Sequence, residues 1–424
     1  MRVLFVHRTF PGQYLNLARH LGSDPSNEVV FITQRKEGQI PGVRKVLYRP
    51  RRAASLHGNQ GTRGPEAAVL NAQEVAQVAR DLRDAGFIPD IMFGHNRWGE
   101  IWYLRDIFPR SPLVGYFEFF YRLQGADIGF DPSEPVTEDM AERVRSKNLG
   151  NLLGLDAVNV GQCATQWQKS GYPKRYRPIM HVMHEGIDSQ TFIPDPTARL
   201  RMPDTQIELA AGDEVVTYVA HNLEPCRGFP VFMRSLPRIL ERRPKARIVI
   251  VGGDGVTHRT RPSEEGTFRE ESLSELGDSL DLSRVHFLGQ VPYDTLVKVL
   301  QISRVHIYLT YPFVLSWSML EAMSAGCLVI GSRTPPVEEI IRDCGNGLLV
   351  DFFSSEEIAA HAIEALEDSR VHQTIRQNAR LTILDDYDLR TICLPAHMSL
   401  LNALVRKAQV SSHSHVRVAR STSA

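Results

Sequence analysis

Short apolar runs alternate along the chain with longer stretches in which apolar residues recur every three or four positions. The short runs are typical of buried strands, and the longer stretches are typical of amphipathic helices. The alternation begins at residues 2–7 and begins again at residues 215–220, after a polar stretch that contains prolines. Two successive series of strands and helices predict an α/β fold with two doubly wound, Rossmann-like domains that face each other across a cleft.

The length of the chain also favours two domains. At 424 residues, the chain is longer than a single hydrophobic core usually stabilises. We predict an N-terminal domain at 1–190, a linker at 191–212 and a C-terminal domain at 213–385. A last helix is predicted at 386–407, and the polar residues 408–424 are expected to be disordered.

Charge and cysteine content argue against several classes of protein. Lys and Arg number 49, as do Asp and Glu, so no net positive field attracts nucleic acid. The five cysteines lack Cys-x-x-Cys spacing, which argues against a disulfide framework or a zinc site. No apolar run is long enough for a membrane span or a secretion signal, so we expect a cytoplasmic protein. The basic segment 44–63 has two interpretations, a solvated loop or a peripheral contact with anionic lipid at the inner face of the membrane.

The most informative stretch of the chain is a predicted strand, loop and helix. Residues 305–309 form the apolar strand, and the spacing of Ser318 and Glu321 is that of a capping box, so a helix is predicted from there to Gly326. The loop 311–317 then lies between the carboxyl end of a strand and the amino end of a helix. Phosphate groups bind at such positions in open α/β sheets.

Residues 321–326, Glu-Ala-Met-Ser-Ala-Gly, resemble the second half of the donor-binding motif of glycosyltransferase family 4. In that family the Glu holds the ribose hydroxyls of a nucleotide sugar, so the resemblance implies that Glu321 binds the donor. A plain capping-box Glu is the other interpretation of Glu321. The first Glu of the family motif is absent, because Phe313 or, with a two-residue insertion, Tyr311 occupies its position.

The absence of that carboxylate leaves two hypotheses about the donor sugar. In the first, backbone N–H groups of Val314, Leu315 and Ser316 and apolar packing against Phe313 hold the sugar, which favours a donor with a less polar face, such as a deoxy sugar. In the second, the insertion only shifts the binding groups and leaves specificity unchanged.

Three further residues of the second half correspond to donor-binding positions of family 4. Arg227-Gly228 takes the place of a Lys-Gly pair that neutralises the donor diphosphate, which implies a catalytic role for Arg227. His221 takes the place of the usual Arg beside it. Val291 lies in a segment that resembles the one around the nucleotide base. Considered without the resemblance, Arg227 is an ordinary loop cation.

Two residues of the first half correspond to the other side of the family's site, and a third is a candidate from its own chemistry. Gly12 follows the first strand, like the glycine-rich first loop of family 4, and allows close approach of a ligand. His95 matches by position a His that faces the donor sugar, which implies a catalytic role. Glu118 lies among the aromatic residues 116–121, which form either core or an acceptor site. A carboxylate in an apolar setting has a raised pKa, so Glu118 is a candidate base or acceptor ligand.

The resemblance implies a retaining hexosyltransferase that needs no metal or other cofactor. The donor is a nucleoside diphosphate sugar, and the acceptor is a sugar, a lipid-linked molecule or a small molecule in cell-envelope or polysaccharide biosynthesis. A sugar-nucleotide epimerase and a non-catalytic scaffold remain alternatives, the second because of Phe313 and His221. Neither half carries the glycine fingerprint of a nicotinamide dehydrogenase. The acidic run 385–388 is interpreted as a solvated turn rather than a metal site.

Overall fold

The computed structural model describes residues 1–55, 60–203, 206–256, 266–368 and 370–421. The chain forms two compact units. The first unit consists of Met1–Glu185 and the C-terminal segment from Cys393, and the second consists of Gly186–Ile392. The first unit therefore includes a segment that the predicted boundaries assigned to a last helix and a tail after the second domain.

The first unit contains a parallel sheet of seven strands in the order β3-β2-β1-β4-β5-β6-β7. Its strands are β1 (Arg2–Val6), β2 (Glu28–Thr33), β3 (Val43–Leu47), β4 (Ile91–His95), β5 (Leu113–Tyr116), β6 (Val160–Cys163) and β7 (Met180–Val182). Helices between them are α1 (Leu15–Gly22), α2 (Gln60–Asp84), α3 (Leu104–Ile107), α4 (Glu138–Lys147), α5 (Leu149–Ala157) and α6 (Gln166–Gly171).

Successive residues of β1 point to opposite faces of this sheet. Leu4 and Val6 pack into one buried cluster, with Met92, whereas Val3 and Phe5 pack into another. Because both faces are covered, the strands are continuous apolar runs rather than alternating ones.

The prediction of a loop at 44–63 was wrong at both ends. Val43–Leu47 is β3, an edge strand of the sheet, and α2 begins at Gln60, while residues 56–59 lie outside the described part of the chain. The Lys45 ammonium donates to Glu37 O at 2.8 Å and lies 4.0 Å from the centroid of the Phe10 ring. Edge strands commonly carry such charges, which weakens their apolar signal in the sequence.

The second unit contains a parallel sheet of six strands in the order β12-β11-β10-β13-β14-β15, and a separate antiparallel pair, β8 and β9. The strands are β8 (Arg199–Arg201), β9 (Glu208–Ala210), β10 (Val215–Asn222), β11 (Arg247–Gly253), β12 (Val285–Phe287), β13 (Val305–Tyr308), β14 (Leu328–Ser332) and β15 (Leu348–Val350). The helices are α7 (Phe229–Arg242), α8 (Phe268–Leu276), α9 (Tyr293–Ile302), α10 (Trp317–Ser324), α11 (Pro335–Glu338), α12 (Ser355–Glu367) and α13 (Gln373–Thr382).

Residues 191–212, predicted as a linker, contain the strands β8 and β9. Met202 and Leu209 are buried in a cluster with Val249, so the segment packs against the second unit. Its short strands are mostly polar, which is why composition alone indicated a linker.

The last helix, α14 (Leu394–Ser421), belongs to the first unit. Leu401 is fully buried there, in the cluster that contains Val3 and Phe5. The helix starts later than predicted, after two π-helical turns, and extends into the segment that was expected to be disordered. Residues 394–421 contain one proline, at the second helical position, and no glycine, so nothing in that sequence interrupts a helix once it has formed.

The acidic run 385–388 is only partly a solvated turn. Asp385 and Asp386 are exposed, but Asp388 is buried and accepts hydrogen bonds from the N–H groups of Arg390 at 2.9 Å and Thr391 at 2.8 Å. These bonds account for the burial of a charge at this position.

The order of the strands predicts one ligand-binding edge in each unit. In the first sheet β1 lies between β2 and β4, and in the second β10 lies between β11 and β13, so the strand order reverses at β1 and at β10. Ligands of doubly wound folds bind beyond the carboxyl ends of the strands at such a reversal.

Candidate functional site

Arg227 lies beyond the carboxyl end of β10, in a 3₁₀ turn that precedes α7. Gly228 follows with a φ of +71°, and a Cβ there would lie 2.4 Å from Leu309 Cβ, so the turn requires glycine. Arg227 Nη1 donates to Thr310 Oγ1 and to Val314 O, both at 2.9 Å. Among the described residues, Nε and Nη2 of Arg227 have no acceptor. This pair of parallel donors is therefore available for bidentate contact with a phosphate.

The amino end of α10 differs from the predicted capping box. The N-cap is Ser316, whose Oγ accepts from the Ser318 N–H at 3.4 Å, and the helix begins at Trp317. The N3 position of this helix is Met319, so Glu321 lies too far along the helix to contact the N-cap. The capping-box interpretation of Glu321 was wrong.

Glu321 is buried, with 5% of its surface exposed, on the second turn of α10. Burial raises the pKa of Glu321 to about 7, against the effect of one hydrogen bond from Tyr293 Oη at 3.3 Å. Among the described residues, no cation contributes to this shift. A carboxylate with a single hydroxyl partner keeps acceptor positions for the hydroxyls of a ligand.

Three of the predicted residues come together in the second unit. His221, Arg227 and Ser316 line a small cavity of about 40 Å³ at the carboxyl ends of β10 and β13. His221 is exposed and belongs to β10, rather than to the loop where it was predicted. Val291 is not among the residues that line this cavity and packs, partly buried, against the cluster that contains Val249.

Tyr311 and Phe313 occupy the place of the missing carboxylate, and both are buried, at 1% and 5% exposure. The Tyr311 ring packs edge-on against Phe352, with 5.0 Å between ring centroids. The Arg227 Cζ lies 5.8 Å from the centroid of the Phe313 ring. Phe313 therefore helps to position the guanidinium of Arg227.

The backbone of the β13–α10 loop is partly committed to internal contacts. The Ser316 N–H donates to Tyr308 Oη at 2.7 Å, and its expected contact with a sugar stays a prediction. The expected contacts of the Val314 and Leu315 N–H groups stay predictions. The sequence pattern did not predict this role of the Tyr308 hydroxyl, because the apolar residues of β13 indicate only a buried strand.

His95 ends β4 in the first unit and is fully buried. Its Nδ1 accepts the Arg97 N–H at 3.1 Å, so a neutral imidazole carries its proton on Nε2. Nε2 lies 3.6 Å from Glu118 Oε1 and has no hydrogen-bond partner among the described residues. The ring is held between Trp98 and Tyr116, at centroid distances of 4.8 and 5.2 Å.

Glu118 does not have the raised pKa that its aromatic neighbours suggested. Burial acts to raise the pKa, but contacts with His95 and Arg97 outweigh it and hold the pKa of Glu118 well below its usual range. Oε2 accepts from Arg97 Nη1 at 3.0 Å, and Oε1 accepts from Gln13 Nε2 at 3.2 Å. Glu118 is thus a charged, paired carboxylate, and the expectation of a raised pKa suited to a general base was wrong.

Gly12 adjoins a histidine that the sequence analysis did not select. With a φ of +55°, Gly12 brings its backbone against His7, and a Cβ would lie 2.5 Å from His7 Nε2. His7 Nδ1 accepts the Thr9 N–H at 2.9 Å, so the proton on Nε2 is donated to Gln13 Oε1 at 2.7 Å. Burial and the neighbouring His95 lower the pKa of His7 to about 3, which keeps it neutral.

Several of these partners were missed from the sequence. His7 and Arg97 follow the ends of β1 and β4, the same signal that identified His95, and applying it to every strand would have found them. Gln13 and Tyr293 lie on helical turns, and only the folded chain brings them to Glu118 and Glu321.

In the part of the chain that the structure describes, no three His, Cys, Asp or Glu side chains lie where they could hold a metal ion. Within the same ranges, no helix is both long and apolar enough to cross a membrane.

Two family models match the chain, one in each half. Residues 25–192 match the model described as Glycosyl transferase family 4 group, and residues 203–382 match Glycosyl transferases group 1. The chain belongs to glycosyltransferase family 4. The predicted family is confirmed, as is the predicted α/β class with two Rossmann-like sheets.

Curated relatives of this glycosyltransferase are distant in sequence. The GDP-mannose-dependent alpha-(1-6)-phosphatidylinositol monomannoside mannosyltransferase of Mycolicibacterium smegmatis is 25% identical over 246 residues, which span 56% of this chain and 61% of that protein. The protein of the same name from Mycobacterium tuberculosis is 23% identical over 87% of this chain and 89% of its own length. The D-inositol 3-phosphate glycosyltransferase of Corynebacterium jeikeium is 26% identical over 63% of this chain and 62% of its own length.

Solved structures share the fold over nearly the whole length. Anabaena Alr3699/HepE in complex with UDP and glucose superposes with a TM-score of 0.65 at 17% identity, covering 94% of this glycosyltransferase and 99% of that chain. Sucrose-phosphate synthase from Thermosynechococcus elongatus superposes with a TM-score of 0.70 at 15% identity, covering 96% and 100%.

Proposed function

We propose that this glycosyltransferase moves a sugar from a nucleoside diphosphate donor to a sugar, lipid-linked or small-molecule acceptor, with retention of anomeric configuration and without a divalent ion. The observation that carries the proposal is the pairing of two features beyond β10 and β13. Arg227 keeps two parallel donors unused, and the buried carboxyl of Glu321 lies on the helix that follows the adjoining loop. These groups suit a diphosphate and a ribose diol respectively.

The chemistry follows from where charge develops. When the bond to the sugar breaks, negative charge accumulates on the leaving diphosphate. Arg227 supplies a permanent positive charge there, fixed in position by Thr310 and Val314, so it needs no reorganisation during the reaction. His221, which lines the same cavity, supplies a further donor.

The relatives support a nucleotide-sugar donor and leave its identity open. Two relatives are named as GDP-mannose-dependent, whereas HepE structures contain UDP or UDP-glucose. Their acceptors include a phosphatidylinositol monomannoside and D-inositol 3-phosphate, judging from their names. A role in cell-envelope or polysaccharide biosynthesis is part of this proposal, as is a cytoplasmic location.

The experiment is a donor screen in the presence of EDTA. Paired deoxy and fully hydroxylated sugars on UDP and on GDP are incubated with candidate acceptors, and released diphosphate and glycosylated product are measured by mass spectrometry. NMR of the product reports the anomeric configuration. We expect transfer with retention from donors of one nucleotide, and a higher kcat/KM for the deoxy member of a pair, because Phe313 replaces a polar sugar contact. A preference for the hydroxylated sugar would contradict the second expectation only.

The same screen separates the alternative functions. Nucleoside diphosphate at about 100 times its Kd should stabilise the protein by about 2.7 kcal/mol whether or not catalysis occurs. Such stabilisation without turnover of any donor would favour the non-catalytic scaffold, for which the observation is Phe313 in place of a carboxylate. Conversion of one nucleotide sugar into another without release of diphosphate would favour an epimerase.

A further inference from the structure

A cationic surface lies in the second unit, on helix α13. The solvent-facing side of this helix carries Gln373, Arg376, Gln377 and Arg380 at helical spacing, and its other side buries Ala379 in the core. Each of these four side chains carries N–H donors, two of them are cationic, and none is a carboxylate.

These side chains line a cavity of about 750 Å³. The volume is within the roughly 300–1,000 Å³ of small-molecule sites. The lining residues named for this cavity include no acidic side chain, and Arg370 at its edge is paired with Asp368, with 3.2 Å between Nε and Oδ1. The cavity walls also include apolar side chains, contributed by Pro194, Leu381 and Leu384. The cavity therefore combines positive charge with apolar surface.

Part of this charge has a structural use. Arg376 Nε donates to Gly326 O at 2.7 Å, and Arg380 Nη1 donates to Phe192 O at 3.1 Å and also to Ser324 O. Gly326 and Ser324 are at the carboxyl end of α10, where cations favourably satisfy terminal carbonyl groups. That role fixes both guanidinium groups in place.

The hydrogen bonds to backbone carbonyl groups do not use all the N–H donors of the side chains that line the cavity. Among the described residues, the two terminal nitrogens of Arg376 have no acceptor, and neither do the carboxamides of Gln373 and Gln377. A helix cap would be complete with Arg376 and Arg380 alone, without the two carboxamides and the apolar wall. Together these groups match the oxygens of a phosphate next to an apolar body.

We propose that this cavity binds a phosphate monoester carried on an apolar group, supplied either as a soluble metabolite or as the headgroup of a lipid. The inference goes beyond the proposed function, because none of the residues that line the cavity belongs to the β10–β13 site. It identifies a second ligand site at the carboxyl end of α10, the helix that carries Glu321 on its second turn.

The test uses phenyl phosphate as the probe and isothermal titration calorimetry as the measurement. The full-length protein should bind phenyl phosphate more tightly than inorganic phosphate or benzyl alcohol, each of which supplies one half of the probe. Gln377→Glu places a negative charge in the cavity wall and should weaken phenyl phosphate binding by about tenfold. Thr374→Glu adds the same charge to an exposed position of α13 outside the lining and should change the affinity by less than about twofold, because solvent screens it.

A second arm distinguishes the two sources of phosphate. Sedimentation with phosphatidylcholine vesicles, with and without phosphatidic acid, measures lipid binding by the wild type and both variants. Retention that requires phosphatidic acid and is lost in Gln377→Glu assigns the site to a lipid, and phenyl phosphate binding without retention assigns it to a soluble metabolite. Equal behaviour of Gln377→Glu and Thr374→Glu in both assays would overturn the proposal. UDP and GDP binding by Gln377→Glu should equal that of wild type, which keeps this result separate from the proposed donor site.

Discussion

Glu118 and Glu321 are glutamates near the carboxyl edge of a parallel sheet, one in each unit, and their environments are opposite. Glu118 is paired with Arg97 and Gln13, and its pKa is held below the usual range. Glu321 has one hydroxyl neighbour at 3.3 Å, and burial raises its pKa to about 7. Sequence context suggested a raised pKa for Glu118, which was wrong. Of the two interpretations of Glu321, the capping role was wrong and the contact with the donor stays a prediction.

The comparison separates a carboxyl group whose charge is compensated within the protein from one that can still accept hydrogen bonds from a ligand. Glu118 has its charge compensated within the protein, so it holds Arg97 and Gln13 in place whether or not a substrate binds. Glu321 is buried without a cation in the described part of the chain, and it gains hydrogen bonds only from an added donor. We therefore expect changes at Glu321 and at Arg227 to affect binding and turnover, and changes at Glu118 to affect stability.

The largest effect is expected at Arg227. Arg227→Ala should lower kcat by about a hundredfold, because the leaving diphosphate loses a fixed cation. Arg227→Lys should lie between this variant and wild type, since it restores the charge without the parallel donors. Thr310→Val is the matched control, because it removes one anchor of Nη1 and keeps the guanidinium. Equal turnover in all four proteins would remove Arg227 from the site.

An intermediate effect is expected at Glu321. Glu321→Gln should weaken nucleoside diphosphate binding by about tenfold, measured by calorimetry near pH 8, since a carboxamide offers the ribose one acceptor oxygen instead of two. The fold should be kept, whereas Ser316→Ala, which removes the actual N-cap, should cost about 1 kcal/mol of stability. Normal nucleotide binding by Glu321→Gln would mean that Glu321 does not contact the donor.

The pH dependence of stability checks the same assignment. Because the folded-state pKa of Glu321 is raised to about 7, its contribution to stability is complete below the unfolded value of about 4.3 and is lost as the pH rises through 7. Urea unfolding measures the free energy of unfolding of wild type and Glu321→Gln between pH 4 and 8. The wild type should lose stability relative to Glu321→Gln as the pH rises over this range.

The smallest effect is expected at Glu118. Glu118→Gln should reduce the free energy of unfolding at pH 7 by about 1 kcal/mol, a value limited by the partial exposure of the ion pair. Because the pKa of Glu118 is lowered on folding, this stabilisation is present above about pH 4 and is lost at lower pH, so the two proteins should converge in acid. A double-mutant cycle with Arg97→Gln measures the pair itself. A difference that persists at low pH would show that packing, rather than charge, accounts for the loss.

The sequence by itself determined the α/β class, the two series of strands and helices, and the positions of Arg227, Glu321 and His95 near strand ends. These features depend on local periodicity and on the chain order of short motifs, which do not require knowledge of distant contacts. The β8–β9 pair and the edge strand β3 were harder to predict, since their patterns are short or polar. The last helix was predicted, but not its continuation past residue 407.

Only the tertiary structure decided what each selected residue contacts. Gln13 lies 105 positions from Glu118, and Tyr293 lies 28 from Glu321, yet these pairs set the state of the two carboxyl groups. The same holds for Gly12, where an added Cβ would lie 2.5 Å from the imidazole Nε2 of His7. Burial, charge pairing and hydrogen bonding depend on side chains that the fold brings together, so the sequence indicated where the chemistry lies and the structure determined the charge and partners of its groups.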